Sequence, residues 1–145
     1  MKKTAQIEIP QILERYELKY HIPFDLVEPI SDFVKPYCDL DEYSEREKTG
    51  FYIINNLYFD SPFYTFLNNR LEGAEKRFNM RVRIYGLDPV PPYFFEIKHK
   101  TGDVIRKYRT KCRNENVADM LYCTNSVEKY GLIGSDAENM NLFQR

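Results

Sequence analysis

The sequence predicts an α+β fold built around an antiparallel β-sheet. Three observations point to it. Residues 78–111 hold three runs that alternate in character residue by residue, as strands do. GLDPVPP and TGD separate those runs and are turn material, because Gly supplies positive φ and Pro fixes φ. Elsewhere apolar residues recur at helical spacing. With 145 residues, 43% of them hydrophobic, the chain suits one globular domain, read as an N-terminal arm over 1–14 and a domain over 15–145.

Taken in order, RYELKYHI (Arg15–Ile22) alternates a charged face with an apolar one and predicts the first strand. Pro23 opens a helix, where a missing N–H costs little, and Leu26, Val27, Ile30, Phe33, Val34 and Tyr37 form an apolar stripe expected to be core. Pro29 interrupts that stripe and marks a kink or the true start. DLDEYSEREKTG (39–50) is polar and acidic and reads as a surface loop, without a calcium-loop spacing. FYIINNLYFD (51–60) is the most apolar strand. A helix is expected from Ser61-Pro62, capped by Asp60 or Ser61, buried through Phe63, Phe66, Leu67 and Leu71 and ended by Gly73.

In the meander, Asn79, Arg81, Arg83 and Tyr85 share a face, as do Phe94, Glu96, Lys98 and Lys100, and Ile105, Lys107, Arg109 and Lys111. Glu115–Cys123 reads as a short helix. Residues 124–145 are weakly patterned, with one helical stretch near Val127–Leu132.

Charge is unevenly placed. From Lys76 to Arg113 there are 11 Lys and Arg against 3 acids, while the whole chain carries −1. A charged strand face is ordinarily a solvated face. Three successive strands that carry cations on one side and apolar or aromatic residues on the other are harder to explain so, because aligned like charges destabilise a sheet. A polyanion ligand is the natural compensating partner.

Other chemistries find little support. No phosphate-loop or dinucleotide fingerprint occurs, and His21 and His99 sit in no metal-ligand spacing. His99 is expected to be packed on the apolar strand face. Cys38, Cys112 and Cys123 are odd in number and form no C-x-x-C pair, which fits a reducing compartment. No apolar run approaches a membrane span and no signal peptide opens the chain, so the expectation is a soluble cytoplasmic protein without a membrane segment.

RYELKYHIP, NLYFDSPFYTFLNNR, KRFNMRVRIYG and FFEIKHK follow one another in an order that resembles the VTC domain, across Arg15 to Lys111. That domain is the catalytic module of polyphosphate polymerases in the triphosphate tunnel metalloenzyme (CYTH-like) superfamily. The resemblance implies an antiparallel β tunnel lined by Lys, Arg and Glu, with helices packed outside. It implies that Lys19, Arg81, Arg83 and Lys98 contact the phosphate chain, and it makes Lys100, Lys107 and Arg109 further candidates. Glu17 resembles the second acid of the superfamily's E-x-E-x-K strand, the first acid being replaced here by Arg15.

The implied reaction transfers the γ-phosphoryl of ATP to polyphosphate, with Mn²⁺ or Mg²⁺. Phosphoryl transfer asks the protein chiefly for positioning and charge neutralisation, which forked arginines and point-charge lysines supply. Glu17 and Glu96 are the candidate metal carboxylates, and a structural acid that balances the cations is an equal alternative for Glu96. The chain is shorter than the family domain, so a missing C-terminal part or a second chain is expected to complete the tunnel, and the chain alone is expected to be poorly active. The alternatives are a triphosphatase or cyclase of the same superfamily and a non-catalytic module that binds polyphosphate. Nucleic acid is not the expected polyanion, because most aromatics alternate onto the apolar faces.

Overall fold

The computed structural model describes residues 13–16 as backbone, and residues 18–113 and 117–145 in full. Five strands form one antiparallel sheet in the order β1-β5-β4-β3-β2. They are β1 (Leu13–Tyr16), β2 (Ile54–Phe59), β3 (Lys76–Tyr85), β4 (Tyr93–Thr101) and β5 (Val104–Cys112). The meander β3-β4-β5 is as the alternation predicts, and β4 turns into β5 through Gly102 at φ +56°. The sheet is open rather than closed into a tunnel: among the described residues its edges β1 and β2 do not pair.

Register settles which residues share a face. Arg81 and Arg109 both stand opposite Glu96, and Lys107 stands opposite Lys98. Across β2, Tyr58 is opposite Arg81 and Asn56 opposite Arg83. The cationic residues of three strands therefore do line one surface.

The other surface carries the core. Val82, Phe95, Ile97 and Cys112 pack beneath Met120, Met140 and Phe143. These last three come from α3 (Val117–Tyr122) and α5 (Gly134–Phe143), with α4 (Ser126–Lys129) between them. Phe143 meets Phe95 and Phe59 edge-on at centroid distances of 5.3 and 5.7 Å. Burying such side chains contributes about 1.5–3 kcal/mol each. Gln144 ties this helical layer together by donating to the Met120 carbonyl and Ser126 Oγ, each at 2.7 Å.

Among the described residues β1 pairs with residues 104–107 of β5. Helix α5 serves the edge beyond. Asn139 donates to the Arg109 carbonyl at 2.9 Å, Thr110 Oγ1 donates to the Asp136 carbonyl at 2.8 Å, and the Lys111 amide donates to the Asp136 carboxylate at 3.3 Å. These bonds satisfy backbone groups in the second half of β5.

Several expectations are corrected. The first strand is described over Leu13–Tyr16, where Tyr16 stands opposite Val104, the first residue of β5, and residues 18–22 of the expected strand are not part of it. After a 3-10 turn at Phe24–Leu26, α1 spans Val27–Val34 and takes Pro29 in its first turn, where the missing N–H is an orphan in any case. Its apolar stripe is not core: α1 buries no residue, and Phe33 and Tyr37 are 72% and 77% exposed.

The next helix, α2, starts at Thr65 and runs to Leu71, three residues after Pro62. Phe63, Leu67 and Leu71 are exposed, and only Phe66 is half-buried, its ring 4.2 Å from that of Phe78. His99 is exposed, at the end of β4 away from the helical layer. Helix α5 was not foreseen, and the expected 127–132 stretch is α4 and its exit turn. No helix among the described residues is long and apolar enough to cross a membrane.

Candidate anion-binding site

The charged surface is organised around one carboxylate. Glu96 is 1% exposed in the middle of β4. Its Oε2 accepts from Arg81 Nε at 2.7 Å and Nη2 at 2.6 Å. Its Oε1 accepts from Lys107 Nζ at 2.8 Å and from Arg109 Nε and Nη2 at 2.6 and 2.5 Å. Strand pairing dictates this, since Arg81 and Arg109 flank Glu96 on either side and Lys107 is one pleat along on the same face.

The cations are held in turn by aromatic groups. Tyr58 OH accepts from Arg81 Nη1 at 2.9 Å, and the Arg109 guanidinium lies 4.7 Å from the centroid of the Phe94 ring. Phe94 itself is 5% exposed, covered by Arg109, Lys111 and the Tyr85 ring.

Burial alone would push the Glu96 carboxyl up. The hydrogen bond and charge of Lys107, then the charges of Arg109 and Arg81, outweigh it and bring it down to about 2. Lys107 moves down as well, because its own burial, with Arg109 and Arg81 beside it, exceeds what Glu96 returns. Burial lowers Arg81 and Arg109, and Glu96 more than restores both. The cluster carries three cations on one anion.

A concavity of about 700 Å³ opens beside this cluster, where β2 stops at Phe59 while β3 continues back to Lys76. Helix α2 forms its other wall. Lys19, Arg70, Arg77, Arg81, Lys98 and Lys100 line it, and among the described lining residues Asp60 is the only acid. That acid is engaged: its carboxylate accepts from the amides of Ser61, Phe66 and Leu67 at 2.8–2.9 Å. Walls of one charge sign in a low-dielectric cleft concentrate field and attract counter-ions.

Of the candidate residues, Lys19, Arg81, Lys98 and Lys100 come together in the cavity, and Lys107 and Arg109 join Arg81 around Glu96. Arg83 stands apart, donating to Asn56 Oδ1 at 2.9 Å with its guanidinium 5.9 Å from the Tyr85 ring centroid. Glu17 lies outside the described residues. Sequence reasoning missed Arg70 and Arg77. Arg70 sits in the helix, away from the strand alternation, and Arg77 is opposite Lys100 at the start of β3, one residue before the alternating run that begins at Phe78.

The strands, their register and the cation row repeat the order of motifs seen in the sequence, and a family comparison decides the matter: residues 14–144 match the VTC domain. The chain belongs to the VTC domain family. No curated protein and no solved structure matches it.

In this VTC domain the donor set around Glu96 does not suit a resident divalent cation. Both carboxylate oxygens already accept from cationic N–H groups, which makes Glu96 their counter-ion. Among the described residues no group of three His, Cys, Asp or Glu could hold a metal.

Proposed function

We propose that this chain is a polyphosphate polymerase-type domain whose basic surface binds ATP and polyphosphate and serves transfer of the γ-phosphoryl of ATP to the polyphosphate chain. The single observation that carries the reading is the cavity whose described lining holds six cations and one acid already committed to backbone amides, set beside the Arg81–Glu96–Arg109 row. Arg81 belongs to both. Glu96 holds its guanidinium through Nε and Nη2, and its position on the cavity wall directs it toward an anion.

The roles follow from the residue types. Lys19, Lys98 and Lys100 supply point charges along a phosphate chain, and Arg81 supplies a preorganised fork. Lys107 and Arg109 balance Glu96 and hold that fork in place. Arg83 meets phosphate further along the face.

A bound Mg²⁺ or Mn²⁺ would neutralise phosphate oxygens, held mainly by the substrate and water, with Glu17 the carboxylate for it. In this reading the open sheet is one wall of a tunnel, completed by further strands of a longer chain or by a second chain. The saturation of Glu96 favours a second reading, a domain that holds polyphosphate without turnover.

The test is incubation of the purified protein with ATP and Mn²⁺ or Mg²⁺, gel detection of polyphosphate, and calorimetric binding of inorganic tripolyphosphate, with Arg81→Ala/Arg83→Ala run alongside. Polymer made by wild type and lost in a folded double variant supports the polymerase. Tripolyphosphate binding without polymer supports the second reading, and absence of both overturns each.

A further inference from the structure

We infer that the cavity at the end of β2 takes a nucleoside triphosphate by its base as well as by its phosphates, with the Tyr64 ring as the stacking platform. The inference rests on the phosphate-binding reading above and names the end of the ligand that reading leaves open.

A groove built only for a polyanion needs cations and water. This one also exposes aromatic rings. Tyr58, Tyr64 and Phe66 line it together with Arg70, Arg77 and Lys98. A planar base stacks on any such ring, and an arginine nearby adds a cation–π contact. The volume of about 700 Å³ lies within the span typical of sites for small organic ligands, about 300–1,000 Å³.

Tyr64 is held in place. It is 63% exposed, yet its backbone is left-handed at φ +55°, where glycine is at ease and a tyrosine is not. Neighbouring groups impose that conformation. The Asp60 carboxylate accepts from the amides on either side, at Ser61 and at Phe66 and Leu67. Ser61 Oγ accepts from the Thr65 amide at 3.0 Å and pairs with Thr65 Oγ1 at 2.6 Å. Strained residues over-determined by their surroundings cluster at ligand sites. Here the constrained turn presents a large ring to a cavity whose opposite wall is cationic. The base would lie on the α2 side and the triphosphate would run toward Lys98 and Arg81.

Tyr64→Gly removes the ring and suits the left-handed backbone, so the variant should fold. Tyr64→Phe keeps the ring. Titration of the full chain with ATP and, separately, with inorganic tripolyphosphate, at one fixed salt concentration, tests the assignment. Tyr64→Gly is expected to weaken ATP by about tenfold, the scale of one stacked base, and to leave tripolyphosphate within about twofold. Tyr64→Phe is expected to bind both as wild type does. Equal weakening of ATP and tripolyphosphate in Tyr64→Gly, or no weakening of ATP, overturns the inference while the phosphate reading stands. Failure of wild type to bind tripolyphosphate overturns the phosphate reading and this inference with it.

Discussion

Replacing Glu96 with Gln removes one negative charge and almost no volume, so its effect reads the charge cluster directly. Glu96 is 1% exposed and accepts five contacts of 2.8 Å or less from Arg81, Lys107 and Arg109. Its carboxyl sits at about 2 against an ordinary 4.5. At about 1.4 kcal/mol per unit that difference corresponds to about 3 kcal/mol, consistent with the roughly 3–5 kcal/mol lost when one partner of a buried ion pair is removed. The substitution should therefore cost about 3 kcal/mol at neutral pH, and about 10 °C in Tm for a domain of this size.

The folded-state value lies below the unfolded one, so the contribution is complete above about 4.5 and is lost as pH falls toward about 2. Urea unfolding followed by far-ultraviolet circular dichroism and by tyrosine emission (the chain has no Trp) gives both numbers. The gap between wild type and Glu96→Gln should close across that acid window. Inorganic tripolyphosphate should raise the Tm of the variant more than that of wild type, because three cations there lack their carboxylate. A variant within about 0.5 kcal/mol of wild type at pH 7, the ordinary scatter of neutral substitutions, refutes the reasoning.

Three further outcomes are expected. Phe143→Ala, which empties a site packed edge-on against Phe59 and Phe95, should lower stability by about 3–5 kcal/mol in the same urea measurement. Tripolyphosphate affinity should fall steeply as salt rises from about 0.1 to 1 M, where the Debye length shrinks from about 10 to 3 Å; calorimetry at three salt concentrations reads the slope. Leu57→Lys, at a 59% exposed position of β2, an edge strand among the described residues, should reduce concentration-dependent association in light scattering and shift stability by about 0.5 kcal/mol or less.

The meander was legible because alternation at period two is a local signal, and parity gave Arg81, Glu96 and Arg109 their companions within each strand, though not which side of β5 turned toward the ligand. Their meeting at one carboxylate was not, since it depends on register across β3, β4 and β5. The apolar stripe of α1 follows helical spacing, and spacing says which residues share a side but not whether anything covers that side. Helix α5 escaped notice for the opposite reason. Its buried positions are Asn139, Met140 and Phe143, one of them polar and bonded to the Arg109 carbonyl, so no clean stripe betrays it. Arg70 and Tyr64 gained their place only when β2 ended before β3 did and left a hollow between strand and helix.

Because α3 and α5 cover one side of the sheet and the charges occupy the other, adjacent codons in β3, β4 and β5 answer to different demands. Met80 and Val82 belong to the packed layer, while Arg81 between them belongs to the ligand surface. A saturation scan of these strands scored separately for abundance and for tripolyphosphate retention should give two profiles, each with a period of two and out of step by one residue. The exception is Glu96, which would register in both. An insertion of one residue anywhere between Arg81 and Tyr85 would exchange the two alphabets at once. Length in this segment should therefore be far less negotiable than sequence, and variation in the number of residues should collect in the 86–92 turn.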